Sequence, residues 1–410
     1  MASHSSDLRG YAAVTAAYWA FTLTDGALRM LVLLHFHELG FSPVDIAFLF
    51  LLYEFMGIVT NLVGGWIAAR LGLKVTLYAG LAVQIVALAL LSLARPEWAL
   101  AVSVAYVMGC QALSGVAKDL TKMSSKSAVK LVVREGGEGL LFKWVALLTG
   151  SKNALKGLGF FLGGVLLGGL GFQWALWAMA AMLALVLVAA LGTLKGDLGR
   201  TKQKPGARQL FSKSREINVL SAARLFLFGA RDVWFVVGVP VFLSAVLGWS
   251  FAQVGGFMAA WVIGYGIVQA AAPRFLRNAG SAASGALAAR VWGFVLAALP
   301  ALIALGLQAG LDARWLVLGG LGLFGVVFAM NSAVHSFLIL AYSDHDKVAL
   351  NVGFYYMANA AGRLLGTLLS GLVYQAAGLA ACLWVSALMV AIAAAGTLFL
   401  PTRAAAARTA

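Results

Sequence analysis

Lys152 and Lys156 stand one helical turn apart in the otherwise apolar run Trp144–Gly164, with Asn153 beside them. A spacing of four places both ammonium groups on one helix face. At bilayer depth each costs roughly 3 kcal/mol or more unless it meets protein, water or an anion. Arg29, Arg224, Arg231 and Arg363 fall in other apolar segments, and Asp25, Glu54 and Asp232 are the acids available to balance these six cations. Guanidinium groups grip oxyanions as planar forks and ammonium groups act as point charges. The chemistry implied is anion binding rather than bond making. No nucleophile–base pair and no metal-ligand spacing is recognisable, so neither an enzyme nor a metal site is expected, and no cofactor. Structural pairing of Lys152 and Lys156 with acids on neighbouring helices is the competing reading.

The other charges sort by position. Asp25 and Arg29 are four apart on one helix and positioned to pair with each other. Arg231 and Asp232 are adjacent, on different faces, and are not expected to pair side by side. Arg224 lies near a helix end, where snorkelling and a role in a site are equally open. Asp25, Glu54 and His335 are candidates for proton coupling, although His335 and Asn331 read first as packing or water contacts. Lys118, Lys122, Lys126, Lys130 and Arg134 recur every four residues. They form either a loop stripe near anionic lipid or, through Lys118 and Lys122, the inner mouth of an anion path, with Asp119 balancing one of them.

The elements that hold these residues are apolar helices. Of the 410 residues, 62% are hydrophobic and 11% charged, against about 25% charged in a soluble domain. The chain is an integral membrane protein with room for about twelve spans of roughly 20 residues. They are expected near 11–34, 44–69, 75–94, 98–116, 143–170, 172–194, 218–246, 251–272, 291–310, 315–341, 348–376 and 379–400. The net charge of +15 is spread over short loops, which excludes nucleic acid as its partner and points to the lipid bilayer. Cys110 and Cys382 supply neither a disulfide framework nor a thiolate metal site. The polar start Met1–Gly10 has no cleavable signal after it.

Lys and Arg crowd the even-numbered connections, the termini and the basic stretch broken by Pro205-Gly206, whereas the odd-numbered connections hold only Arg95 and Arg314. Both termini and that stretch are therefore expected in the cytoplasm. The domain reading is a six-helix half over 1–194, a cytoplasmic linker over 195–217 and a second six-helix half over 218–410. The halves echo each other: Leu39-Gly-Phe-Ser is matched by Leu247-Gly-Trp-Ser, and Gly57-Ile-Val by Gly266-Ile-Val. Parallel six-helix repeats joined by a cytoplasmic linker describe the major facilitator architecture.

Two motifs bear on that resemblance. The run Gly65-Trp-Ile-Ala-Ala-Arg-Leu-Gly-Leu-Lys74 resembles the facilitator gating loop, with Gly65, Arg70, Gly72 and Lys74 in place. Ala69 replaces the usual Asp and Leu73 an Arg, so the cytoplasmic Asp–Arg latch is in doubt. The run Gly159-Phe-Phe-Leu-Gly-Gly164 resembles a glycine-rich fifth-helix motif, with Phe160 where Pro would stand, and close packing alone also accounts for it. Gly320-Leu-Gly-Leu-Phe-Gly325 matches a dinucleotide fingerprint by letter only, because no strand precedes it.

Four longer stretches, Tyr18–His37, Gln111–Lys126, Thr149–Gly157 and Ser221–Phe235, together resemble the ArsJ organoarsenical efflux permeases of bacterial arsenic-resistance operons. The resemblance implies a multi-pass carrier of the bacterial inner membrane, working as a monomer beside a glyceraldehyde-3-phosphate dehydrogenase. That enzyme uses arsenate to make 1-arseno-3-phosphoglycerate, and the permease exports the ester. Hard oxyanions at both ends of the ester call for guanidinium and ammonium donors rather than thiolates. The expected substrate contacts are Arg29, Lys152, Lys156, Lys122 and Asn153 in the first half and Arg231 and Arg363 in the second. Uptake or exchange of another phosphorylated organic anion needs the same cations, and a membrane scaffold or sensor needs none of them. Whether export draws on the proton motive force or on the membrane potential alone is open at this level.

Overall fold

The computed structural model describes residues 2–132, 138–194, 214–275, 282–343 and 348–401. Side chains at 2–9, 11, 64–71, 73, 123, 126–132, 138–150, 273–275, 340 and 348–350 lie outside that description. The regular elements are helices: α1 (Ala2–Glu38), α2 (Pro43–Leu71), α3 (Leu73–Leu91), α4 (Leu100–Val132), α5 (Glu138–Thr193), α6 (Arg215–Phe235), α7 (Gly238–Ala245), α8 (Phe251–Phe275), α9 (Ala282–Gln308), α10 (Ala313–Trp315), a π turn (Leu316–Gly320), α11 (Leu321–Ala341) and α12 (Val348–Thr397). Most are apolar on every side, as helices bathed in lipid must be. Leu185, Val188, Leu302 and Leu388 are exposed, which in water would be a liability and in hydrocarbon is not.

Among the described residues, nine helices are long and apolar enough to cross a membrane, so the twelve expected spans are not matched one for one. Two of the nine are far too long for one crossing: the apolar parts of α5 and α12 run 43 and 47 residues. At 1.5 Å per residue these measure roughly 65 and 70 Å, against a hydrocarbon core of roughly 30 Å. Each is broken at one glycine, Gly171 (φ 73°) and Gly378 (φ 71°), a conformation that glycine adopts without a Cβ clash. The breaks fall between the spans expected on either side of them. α1 is not among the nine; it is 37 residues long and carries Asp25 and Arg29 inside it.

A second kind of break separates α6 from α7. Pro240 has no amide hydrogen and its ring opposes the carbonyl four residues back, at Val236. The amides of Val237 and Gly238 both donate to Ser370 Oγ at 3.1 Å. Non-helical backbone at membrane depth survives only where protein satisfies it in this way.

The chain divides into two compact units. Unit 1 comprises Met1–Phe41, Phe48–Pro205 and Trp249–Ile263; unit 2 comprises Ser42–Ala47, Gly206–Gly248 and Gly264–Ala410. Each unit takes in one short segment from the other part of the sequence. Within unit 1, α1 packs along α5, and within unit 2, α6 packs along α12. Both packings use glycines pressed on backbone. A Cβ at Gly159 or Gly163 would collide with the carbonyls of Leu23 and Ala27, and one at Gly362 or Gly366 with those of Leu225 and Gly229. The two seams match in order and spacing. They relate Leu23 to Leu225, Ala27 to Gly229 and, in the same register, Arg29 to Arg231.

Candidate functional site

Unit 1 gathers its polar side chains where α1, α2, α4 and α5 meet. Arg29 Nη1 donates to Glu54 Oε1 at 2.9 Å, with Glu54 only 1% exposed. The guanidinium also stands over the rings of Phe50 (5.1 Å) and Tyr53 (5.7 Å). Asp25 serves other partners: Tyr53 Oη donates to Oδ1 at 2.6 Å, and Lys156 Nζ lies 3.9 Å from Oδ2. The expected Asp25–Arg29 pair is thus replaced by pairs between helices. Glu54, presented from α2, takes Arg29, and this leaves Asp25 to Tyr53 and Lys156. Asp25, Arg29, Phe50, Tyr53 and Gln111 share one narrow crevice.

Lys118 lies beyond Tyr53, its Nζ 3.9 Å from the ring centroid. Asp119 is fully buried and accepts from Thr60 Oγ1 and from Lys122 Nζ, the latter at 3.3 Å. Lys122 Nζ also donates to Asn61 Oδ1 at 2.7 Å. Lys152 and Asn153 are half-buried on α5 and engaged by their surroundings. Lys152 shares its turn with Ser151, whose Oγ accepts from Trp19 Nε1 at 2.9 Å. Among the described residues this cluster holds five cations (Arg29, Lys118, Lys122, Lys152, Lys156) against three acids (Asp25, Glu54, Asp119).

Unit 2 repeats the pattern with arginine. Asp232 is 1% exposed and takes Arg231 on Oδ1, from Nε at 2.6 Å and Nη2 at 2.5 Å. Its Oδ2 is 3.4 Å from Arg363 Nε. Arg231 and Asp232 therefore do pair, against expectation. The long arginine stem folds back across the roughly 100° that separates adjacent helical positions, because no other carboxylate is offered to it among the described residues. Arg224 does not snorkel either. It is 4% exposed, donates from Nε to Asn359 Oδ1 at 3.1 Å, and from Nη1 to Ser332 O at 3.3 Å and Oγ at 3.0 Å. Among the described residues this cluster holds three cations (Arg224, Arg231, Arg363) against one acid (Asp232).

The remaining expected residues scatter. His335 is buried on α11 in unit 2 and its Nδ1 finds no hydrogen-bond partner among the described residues. Asp25 and Glu54, by contrast, belong to the unit 1 cluster. Of the gating-loop set, the side chain of Arg70 and the position of Gly65 fall outside the described side chains, as do Lys126, Lys130 and Arg134. Gly72 (φ 78°) caps α3, and its carbonyl accepts from Thr76 Oγ1 at 3.0 Å. Thr76 Oγ1 lies 2.6 Å from Ser124 Oγ, which ties the start of α3 to α4. Lys74 is half-buried. Sequence reasoning passed over Tyr53, Thr60, Asn61, Phe228, Ser332 and Asn359. Only Asn359 carried a signal, standing one helical turn before Arg363; the others are ordinary residues that packing brings to the charges.

Comparison with known proteins bears on the frame that carries these clusters. A model of the major facilitator superfamily matches residues 13–329. A search of the curated proteins returned no match. Among solved structures, the chain is similar to a bacterial homologue of the iron transporter ferroportin in its inward-facing state. The TM-score is 0.72 at 14% identity, over 97% of this chain and 99% of that one. At that identity the likeness extends to the fold and not to the cargo.

Proposed function

The chain belongs to the major facilitator superfamily, and on that premise we propose that it is an efflux carrier for an organoarsenical anion, 1-arseno-3-phosphoglycerate, working by alternating access. The observation that carries the substrate class is the charge balance. Among the described residues the unit 1 cluster has two more cations than acids, and so has the unit 2 cluster. Cations at bilayer depth are costly unless they meet protein, water or an anion, and the ester brings two oxyanions. Its name rests on the four stretches that resemble the organoarsenical permeases.

The assignment of contacts follows the clusters. Arg29, Lys152, Lys156, Lys122 and Asn153 serve one set of oxygens, and Arg231 and Arg363 another. The donors are hard, as arsenate and phosphate esters require. Cys110 and Cys382, the thiols that trivalent arsenic would seek, are buried and free, and they fall in different units. In this reading a glyceraldehyde-3-phosphate dehydrogenase supplies the substrate inside a bacterium, and the inner membrane is the site of action. Outward passage of a polyanion is downhill when the interior is negative, by ~2.3 kcal/mol per charge per 100 mV. The membrane potential alone can then drive export, and Asp25, Glu54 and His335 remain the groups through which protons would couple.

Everted membrane vesicles test the proposal. They are supplied from outside with the dehydrogenase, its substrate and arsenate, and accumulated arsenic is measured. Uptake that needs both enzyme and arsenate is expected. Uptake of 3-phosphoglycerate without arsenate would instead favour a carrier for phosphorylated metabolites. No uptake of either would remove the anion reading.

A further inference from the structure

Arg224 has a setting unlike that of the other cations paired in these clusters. Arg29, Lys122, Lys156, Arg231 and Arg363 each lie within 4 Å of a carboxylate. Arg224 is more deeply buried than Arg231 or Arg363, yet its hydrogen-bond partners among the described residues are all neutral: Asn359 Oδ1, Ser332 O and Ser332 Oγ. Those three acceptors use Nε and Nη1. The two hydrogens of Nη2 reach no acceptor among the described residues. A buried guanidinium without a counter-ion is a large expense, and removing a partner from a buried pair typically costs several kcal/mol.

The surroundings hold the group in one orientation. Its Cζ stands 4.0 Å from the Phe228 ring centroid and 5.0 Å from that of Tyr355. Arg231 lies over the same Phe228 ring at 4.9 Å. Arg224, Phe228 and Arg231 follow one face of α6 at i, i+4 and i+7, so one ring separates two guanidinium groups. Ser332, which receives Nη1, also receives Tyr265 Oη and Gln269 Nε2, each at 3.3 Å. Asn331 Oδ1 and His335 Nδ1, flanking Ser332 on α11, are buried without hydrogen-bond partners among the described residues. The region is thus rich in neutral polar atoms, two of them unsatisfied, around one fixed cation. A purely structural arginine would be expected to use its donors up.

We propose that Arg224 is a substrate-binding residue: its Nη2 edge takes a phosphate or arsenate oxygen, with Ser332 and Asn359 fixing the fork and Phe228 setting its distance from Arg231. The proposal rests on the anion reading given above and adds to it a specificity-determining contact in unit 2. With Nε and Nη1 taken by Asn359 and Ser332, Nη2 offers a charge-assisted hydrogen bond in a fixed plane to an oxyanion oxygen.

Purified protein in detergent provides the test, with inorganic phosphate and 3-phosphoglycerate as separate probes and chloride as control, read by ligand-induced thermal shift. Arg224→Gln is expected to weaken phosphate binding by about ten- to a hundredfold, the range set by one hydrogen bond to a charged group. Arg224→Lys should recover part of it. Because Arg224→Gln can fail to fold, Asn359→Asp gives a second reading. It keeps the arginine and places a carboxylate against Nε. That internal anion should compete with the ligand, weakening phosphate binding at least about tenfold while the unliganded protein melts no lower. Unchanged phosphate affinity in a folded Arg224→Gln, or in Asn359→Asp, overturns the proposal. If wild type binds phosphate but not 3-phosphoglycerate, the rival carrier for phosphorylated metabolites fails while Arg224 is still judged on phosphate. If wild type binds neither, the anion reading and the Arg224 contact both fall.

Discussion

Arg29 on α1 and Glu54 on α2 form a 2.9 Å ion pair with the carboxylate 1% exposed, while Asp25, one turn from Arg29, turns instead to Tyr53 and Lys156. Two helices are thereby joined by a charge pair that neither contains alone. Glu54→Leu leaves Arg29 buried and unpaired and is expected to cost about 3–5 kcal/mol. Arg29→Met combined with Glu54→Leu should cost less than Glu54→Leu alone. Thermal melting of the three variants checks this, and an additive double variant would count against a buried pair.

Asp232 balances two arginines at once. Asp232→Asn removes the only described carboxylate from that cluster. The expected outcome is opposed effects: a lower melting temperature without ligand and tighter binding of inorganic phosphate, since the arginines lose their internal competitor. Weaker phosphate binding in a folded Asp232→Asn would mean that the acid orients the arginines rather than competing for them.

The proposed contacts should each matter on their own. Lys152→Ala and Arg363→Ala are expected to lower arsenic export at least about tenfold if each loses a charge-assisted hydrogen bond to the substrate. Export at the wild-type rate by either variant, with normal amounts in the membrane, would remove it from the site.

Glycine substitutions separate packing from tolerance. A Cβ at Gly362 meets the Leu225 backbone, which cannot swing aside, so Gly362→Ala is expected to destabilise by about 1–3 kcal/mol. At Gly168 and Gly169 an added Cβ would meet nothing within 4 Å. Gly168→Ala should be neutral or stabilise by up to ~1 kcal/mol, the helix propensity gained. Melting curves of the two variants decide it.

His35, just past the apolar part of α1, stacks on Phe172 with centroids 4.0 Å apart at 12°. Burial lowers its pKa from 6.5 to about 4, and burial lowers His37 as well. The unfolded chain takes up these protons as pH falls through 6.5, but the folded chain stays neutral at His35 until about pH 4. Stability should therefore be level above about pH 7, decline between 6.5 and 4, and flatten below. His35→Gln should reduce that slope in melting temperature against pH. An unchanged slope would show that other groups set it.

The gross frame was legible from residue types alone. Apolar runs of membrane length, lysines and arginines crowded into alternate connections, and a repeated Leu-Gly-aromatic-Ser motif lead to a facilitator-like bundle, because the solvent imposes those patterns wherever a helix crosses it. Even the breaks between close-set spans could be placed, at Gly171 and Gly378, where the backbone takes a positive φ that glycine alone adopts readily. The excess of cations within apolar segments was equally plain, since residue types count them without knowing their neighbours.

What the sequence could not settle was who pairs with whom. It favoured Asp25–Arg29 by spacing, denied Arg231–Asp232 by helical angle and let Arg224 reach the surface. The fold sends Arg29 to Glu54, bends Arg231 back onto Asp232 and encloses Arg224 among Asn359, Ser332 and two aromatic rings. Charge and hydropathy are properties of residues one at a time and survive in the linear order. Pairing depends on which helix stands opposite: the glycine seams of Gly163 on Ala27 and Gly362 on Leu225 set α5 against α1 and α12 against α6, which brings Lys156 to Asp25, Arg363 to Asp232 and Asn359 to Arg224.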